Sequence, residues 1–284
     1  MSNLKLRILL IFTVIPALFA LIFLVPFYNH AFTHFFSFLL MMAGSLEMWK
    51  ILTGKGEHRA STPVVYIPAA IAITTYLECA SIIPQNTIFW VIGIMLFFIF
   101  ARPAFTRDES KFDDINKRVS SLVMLVFYPG FFFSYTVRLT SLPHPSWTLV
   151  GFLVLIFMND IFAYVFGMWL GKNNRNIFPI SPKKSLAGFI GGFFMTIVGA
   201  VIIFYMGAPM FGENVVTAIL LASVIGLLAP LGDLIESAMK RSAHVKDSAN
   251  YIPGRGGVMD NIDSLIFTAP VYYYIIKYIS TLAG

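Results

Sequence analysis

The chain has 284 residues, 58% of them hydrophobic and only 12% charged, with a mean hydropathy of +0.79. A water-soluble domain carries roughly a quarter charged residues, so the composition excludes a soluble protein and points to an integral membrane one. The single cysteine, Cys79, excludes an intramolecular disulfide framework and a thiolate metal cluster, and the formal net charge of +6 must be explained by topology or by a nucleic-acid partner.

In chain order, apolar runs long enough to span a bilayer cover residues 8–27, 31–52, 63–83 and 87–105. A charged segment of balanced sign follows, Arg107 to Arg118, which reads as a solvated turn or short interfacial helix without chemistry. Further runs cover 119–139, loosened by Pro129-Gly130, then 147–170, 186–206, 214–231 and 258–279. No clear small-x-small cleavage site follows the first run, so it is read as an uncleaved span. The expected fold is an all-α polytopic transmembrane bundle of about nine spans.

Nine spans put alternate loops on opposite sides. One side then carries Lys5 and Arg7; Lys50, Lys55 and Arg59; Arg102, Arg107, Lys111, Lys117 and Arg118; Lys172, Arg175, Lys183 and Lys184; and Lys240, Arg241, Lys246 and Arg255. Only Arg138 and Lys277 fall on the other side, so 18 of the 20 basic residues share one face. The positive-inside rule makes that face, and the N-terminus, cytoplasmic. The basic balance is therefore topological, and no nucleic acid is needed. No internal repeat supports a transporter fold. Residues 1–284 read as a single integral membrane domain, with 1–145 as scaffold spans and 146–284 carrying the polar motifs.

Asp160, within Asn159-Asp-Ile-Phe-Ala-Tyr164, lies about ten residues inside a span, where an ionisable group normally faces a cavity or a partner. Glu47, within a turn of Lys50, and Glu78, near an outer end, read instead as structural residues at span ends. The loop Ser181-Pro-Lys-Lys-Ser185 precedes a helix and offers hydroxyls, two ammonium groups and a positive helix terminus. It suits a phosphate-bearing ligand or a plain positive-inside anchor equally.

The most polar stretch is Leu231 to Asp263. Asp260 and Asp263, spaced i, i+3 at a helix start, point the same way. Either alone passes for a helix cap. Asp233, placed at the end of the preceding span, does not, because the helix dipole disfavours an anion there. One cation held by all three accounts for them together, and hard oxygen ligands beside lysines favour Mg²⁺ shared with a substrate phosphate. Gly254, Gly256 and Gly257 permit close backbone approach. Lys240, Arg241, Lys246 and Arg255 add positive charge. Cations, carboxylates and a glycine turn together describe phosphoryl or nucleotidyl transfer.

Ser237-x-Met-Lys-Arg, Lys246-Asp-x-Ala and Ile252-Pro-Gly-x-Gly-Gly-Val-x-Asp260-x-Ile-Asp263 resemble the signature of the CDP-diacylglycerol synthases, or phosphatidate cytidylyltransferases. Asn159-Asp-Ile-Phe-Ala-Tyr-x-x-Gly and Ser181-Pro-Lys-Lys-Ser followed by Gly188-Phe-Ile-Gly-Gly192 are similar to that family in the same order. The resemblance covers about residues 147–265.

It implies a homodimeric membrane enzyme that joins CTP to phosphatidic acid with Mg²⁺, a second cation being an open alternative, in phospholipid biosynthesis at the cytoplasmic face of a cell membrane. By the same likeness the metal ligands fall on Asp233, Asp260 and Asp263, and the catalytic Lys-Asp pair on Lys246 and Asp247, with Arg241 beside it. Substrate contacts fall on Ser181, Lys183, Lys184, Ser185, Asp160, Lys240 and Arg255. Two alternatives are a paralogue using another membrane alcohol phosphate and a cation-coupled transporter. The family's histidine is Arg255 here and its arginine is Asn261, so Arg255 is expected to supply the cation that position 261 lacks. A further departure is Ala187, where the family often has glutamate.

Overall fold

A computed structural model describes residues 3–54, 62–107, 109, 112–175, 177–249, 252 and 256–283. Arg255, Gly254, Lys55, Arg59 and Lys111 lie outside the described residues. The helices are α1 (Asn3–Leu24), α2 (Phe27–Thr53), α3 (Thr62–Cys79), α4 (Thr87–Ala101), α5 (Ile115–Leu125), α6 (Phe133–Arg138), α7 (Pro145–Trp169), α8 (Leu186–Tyr205), α9 (Val215–Ser242) and α10 (Met259–Ala283). Among the described residues six helical stretches are long and apolar enough to cross a membrane. The fold is a polytopic helical bundle, and the protein an integral membrane protein. Trp90, Phe97, Tyr205, Leu220 and Tyr278 are exposed on the outer surface, as side chains that face hydrocarbon can be.

The Pro129-Gly130 pair does loosen its span: α5 passes into a π-helical segment, Val126–Phe132, before resuming as α6. Proline supplies no N–H, and the local ladder widens accordingly.

Two apolar clusters organise the bundle. One joins α7, α8, α9 and α10 around Phe152, Leu155, Leu221 and Tyr272. The other joins α2, α3, α4 and α5 around Met48, Trp49, Ile71 and Leu125, and takes in Met259, Ile262 and Ile266 of α10. Helix α10 thus contributes to both clusters, and its polar first turn lies where they meet.

The α7–α8 contact is built on glycines. A Cβ at Gly188 would stand 2.6 Å from the Ala163 carbonyl oxygen, and one at Gly192 2.9 Å from that of Asn159. Small residues at this spacing let two membrane helices approach closely. The Gly188–Gly192 stretch is therefore a packing surface. In the same layer Pro230, lacking an N–H, leaves the Gly226 carbonyl of α9 without its helical donor. Asn159 Nδ2 supplies one at 3.1 Å and also donates to Thr196 Oγ1 at 3.0 Å. Buried Asn159 thereby ties α7, α8 and α9 together.

Helix α9 differs from expectation. The apolar run stops at Leu231, but the helix continues to Ser242. Asp233 is consequently inside the helix and not at its end, and Glu236 and Lys240 fall on successive turns of one face.

Candidate active site

Extending α9 places Glu236 one turn beyond Asp233, and Gly232 lets α10 close in. A Cβ on Gly232 would lie 2.8 Å from the Asp263 carbonyl oxygen and 3.0 Å from Ser264 Cα. The approach brings Asp263 of α10 against Asp233 and Glu236 of α9, with ligand oxygens all within 4.8 Å of one another. Asp263 and Glu236 are buried, and Asp233 is half-exposed. Asp160 of α7 lies within electrostatic range of Asp263.

The fit of this group to a hard cation can be judged from Glu236. Its Oε2 is paired with Lys240 Nζ, while Oε1 has no hydrogen-bond partner although the residue is fully buried. A buried oxygen left without a partner is costly, and like charges sharing one site oppose full ionisation. A divalent cation meets both demands with oxygen ligands of the kind it prefers. Asp233, Glu236 and Asp263 are the residues that would hold it.

Asp260 belongs to a neighbouring structure. Its Oδ1 meets Lys240 Nζ, and its Oδ2 accepts from Ser248 N at 3.0 Å and Gly257 N at 2.7 Å, with Ser248 Oγ 2.8 Å away sharing its one proton between Asp260 and Glu47. Geometry groups Asp263 with Asp233 and Glu236, and groups Asp260 with the glycine loop. The i, i+3 spacing does bring both aspartates toward α9, but one turn apart, with Lys240 between Glu236 and Asp260. Lys240, expected at the substrate, is buried in that bridge.

Sequence reasoning also placed Glu47 wrongly. It is not a span-end side chain reaching for water: it is 1% exposed. Its carboxylate accepts from Val258 N at 2.9 Å, Met259 N at 2.8 Å and Ser248 Oγ at 2.7 Å. The first N–H groups of a helix have no partner of their own. Here α2, more than 200 positions away, caps α10. Gly257 is required by this arrangement, since a Cβ there would collide with Ser248 Oγ and Glu47 Oε2. Gly256, at φ +83°, closes the turn through paired hydrogen bonds with Ile252. Asn261 Nδ2 donates to the Gly257 carbonyl at 2.6 Å.

The remaining expected residues divide between the site and its frame. Lys184 Nζ lies 2.9 Å from Asp233 Oδ2 and donates to the Pro230 carbonyl at 3.4 Å, so the Ser181–Ser185 loop does reach the carboxylates. Lys183 is exposed beside it, and Ser181 forms the preceding turn, accepting from Lys184 N at 3.1 Å. Ser185 is buried and caps α8, its Oγ accepting from Gly188 N at 3.1 Å. Arg241 is exposed and ties the same loop by donating from Nε to the Ile180 carbonyl at 3.4 Å. Lys246 and Asp247 are exposed in the connection after α9. The arrangement presents a carboxylate cluster beside cationic side chains from the Ser181–Ser185 loop and the end of α9, which suits binding and neutralising a polyphosphate.

Comparison with known proteins agrees with that chemistry. Residues 5–279 match the model of the cytidylyltransferase family. The chain is 30% identical to the phosphatidate cytidylyltransferase of Synechocystis sp. over 269 residues, 84% of this chain and 86% of that protein. It is 29% identical to the enzyme of the same name from Bacillus subtilis over 254 residues, 86% of this chain and 90% of that protein. An uncharacterized Escherichia coli protein is 36% identical over 162 residues, 52% of this chain and about half, 53%, of that protein's length.

Proposed function

The chain belongs to the cytidylyltransferase family, and from that premise we propose that it is a phosphatidate cytidylyltransferase, converting CTP and phosphatidic acid into CDP-diacylglycerol and pyrophosphate. The observation that carries the reading is the group of Asp233, Glu236 and Asp263 set beside Lys184. A phosphate monoester oxygen attacks the α-phosphorus of CTP, a new P–O bond forms, and the bond to the β-phosphate bridging oxygen breaks to release pyrophosphate. The nucleophile is already anionic at neutral pH, so no strong base is required. The obstacle is bringing two anions together, and positioning and charge neutralisation remove it.

A Mg²⁺ ion held by Asp233, Glu236 and Asp263 would supply charge stabilisation for the phosphates. Lys184, Lys183 and Ser181 orient the triphosphate on one side. Arg241, tied to the same loop through the Ile180 carbonyl, and the exposed Lys246–Asp247 pair add to the neutralisation, and the family likeness assigns Arg255 the same task. Ser185 and Lys240 act indirectly, by holding the α8 terminus and the Glu236–Asp260 bridge. Asp160 lines the inward end of the site, toward the bilayer that carries the lipid substrate. The reading includes nine spans, a cytoplasmic N-terminus and site, and a homodimer. It rests on the 18-to-2 distribution of basic residues for topology and on the family likeness for assembly.

Purified protein in detergent, given CTP, phosphatidate and Mg²⁺, is expected to release pyrophosphate and form CDP-lipid, and to lose both on chelation. A protein that binds Mg²⁺ but releases no pyrophosphate with phosphatidate would sink the assignment. Turnover with a polyprenyl phosphate in its place would replace the substrate and keep the chemistry.

A further inference from the structure

The span loosened by Pro129-Gly130 passes through the π-helical segment Val126–Phe132, and such bulges occur frequently at functional sites. Gly130 pins the segment: a Cβ there would stand 2.7 Å from Ile71 Cδ1 and 2.9 Å from the Leu125 carbonyl oxygen. Within it lies Tyr128, 5% exposed, whose hydroxyl has no hydrogen-bond partner among the described residues. A buried donor left unused is costly. Tyr135 and Tyr272, equally buried, both engage theirs, with the Tyr274 hydroxyl at 2.9 Å and the Thr148 carbonyl at 3.0 Å. Tyr128 belongs to the apolar cluster that holds Ile262 and Ile266 of α10, with Ile235 and Met239 of α9 packed against it. It therefore sits among the chain neighbours of Asp263 and Glu236, and within electrostatic range of Asp263, Glu236 and Asp233. Glu236 Oε1 is itself a buried acceptor without a partner. An unused donor and an unused acceptor thus share one buried region.

We propose, resting on the cation site of the reading above, that Tyr128 is a positioning residue of that site, its hydroxyl donating to the Asp263 and Glu236 carboxylates when they hold a divalent cation. Carboxylates that ligate a metal are themselves hydrogen-bonded, and the loss of such an outer partner costs roughly 10–100-fold in metal affinity. Lys184 and Lys240, the ammonium groups that reach the cluster, compete with a cation for the same oxygens. A phenol adds a donor and no charge, so it steadies the carboxylates without displacing the ion. Glu236 Oε2 is paired with Lys240; exchanging that partner for the ion frees the carboxylate to accept from Tyr128.

The test is metal affinity, which does not depend on turnover. Full-length parent and Y128F protein in neutral detergent are titrated with Mn²⁺ alone, an ion that suits the same oxygen ligands, and bound ion is read by electron paramagnetic resonance. Y128F is expected to bind the ion roughly 10–100-fold more weakly. Without metal it should unfold at or above the parent's temperature, because the deleted hydroxyl has no bond to lose. Y272F is the structural control: it loses the bond to Thr148, so its melting temperature falls while its Mn²⁺ affinity matches the parent's. Equal affinity in parent and Y128F, or no affinity in the parent, overturns the proposal. So does a weakening shared by Y272F, which would mean a general loosening of the bundle. A lower melting temperature in metal-free Y128F also overturns it, by giving the hydroxyl a bond in the fold. CDP-lipid formation by the parent is measured separately. Its absence beside an intact affinity difference defeats the cytidylyltransferase reading and leaves the role of Tyr128 standing.

Discussion

The Glu47 carboxylate offers the sharpest test of how the bundle positions its polar loop. In Glu47→Gln one oxygen becomes an NH₂ group, and either orientation of the amide sets it against a backbone N–H. One oxygen faces Val258 N, and the other faces Met259 N together with Ser248 Oγ. Ser248 can rotate its hydroxyl to accept, but the backbone cannot. An unsatisfied buried donor costs about 1–3 kcal/mol. Glu47→Ala removes every acceptor at once, and its cost rises to about 3–5 kcal/mol, as when one partner of a buried charged network is deleted. The glutamine variant should therefore fold with a lowered melting temperature while residues 256–258 shift. A displacement of order 1 Å near reacting groups costs roughly 10²-fold in rate. The assay is CDP-lipid formation in detergent, with kcat and KM for CTP separated, alongside thermal unfolding. A Gln variant that melts like the parent and turns over within about twofold of it would show that α2 does not hold the loop.

Asp263→Asn removes one of three clustered carboxylates, so melting should be unchanged or raised while CDP-lipid formation falls by at least about 10²-fold; retained activity would remove Asp263 from the cation site. Glu78→Ala should destabilise by about 3–5 kcal/mol, read as thermal unfolding, because Glu78 is buried, pairs with Arg138 at 2.5 Å and accepts from Ile88 N at 2.6 Å at the start of α4. Gly188→Ala should lower stability by about 1–3 kcal/mol as α7 and α8 are forced apart, whereas Gly93→Ala, where a Cβ meets nothing within 4 Å, should be neutral or raise it by up to about 1 kcal/mol. Equal melting of the two alanine variants would refute the packing role given to Gly188.

What the sequence made legible and what it hid have different physical origins. Hydropathy reports where a chain is greasy, and it located the helices because bilayer spans must be both helical and apolar. It says nothing about a helix that carries on past the greasy stretch, and so it ended α9 at Leu231, eleven residues early. With the helix extended, the same-face rule that paired Asp260 with Asp263 also pairs Asp233 with Glu236; the signal was present and was read over too short a span. Glu47 had no such signal. Its partners are 201 to 212 positions away, and Lys50 one turn on supplied a sufficient local explanation.

Asp260 shows why spacing alone could not sort ligands from supports. Two aspartates three apart on a helix share a face, but what each one meets depends on its own neighbours. Asp263 lies against α9 where Gly232 admits it, and finds two more carboxylates. Asp260, one turn nearer the helix start, meets the free N–H groups of its own loop and the ammonium of Lys240. Two ammonium groups, Lys184 and Lys240, meet the three carboxylates of the first environment, whereas Asp260 has Lys240 and backbone N–H groups around a single carboxylate. The surroundings of each carboxylate, which only the folded chain defines, are what set the two aspartates of one motif apart.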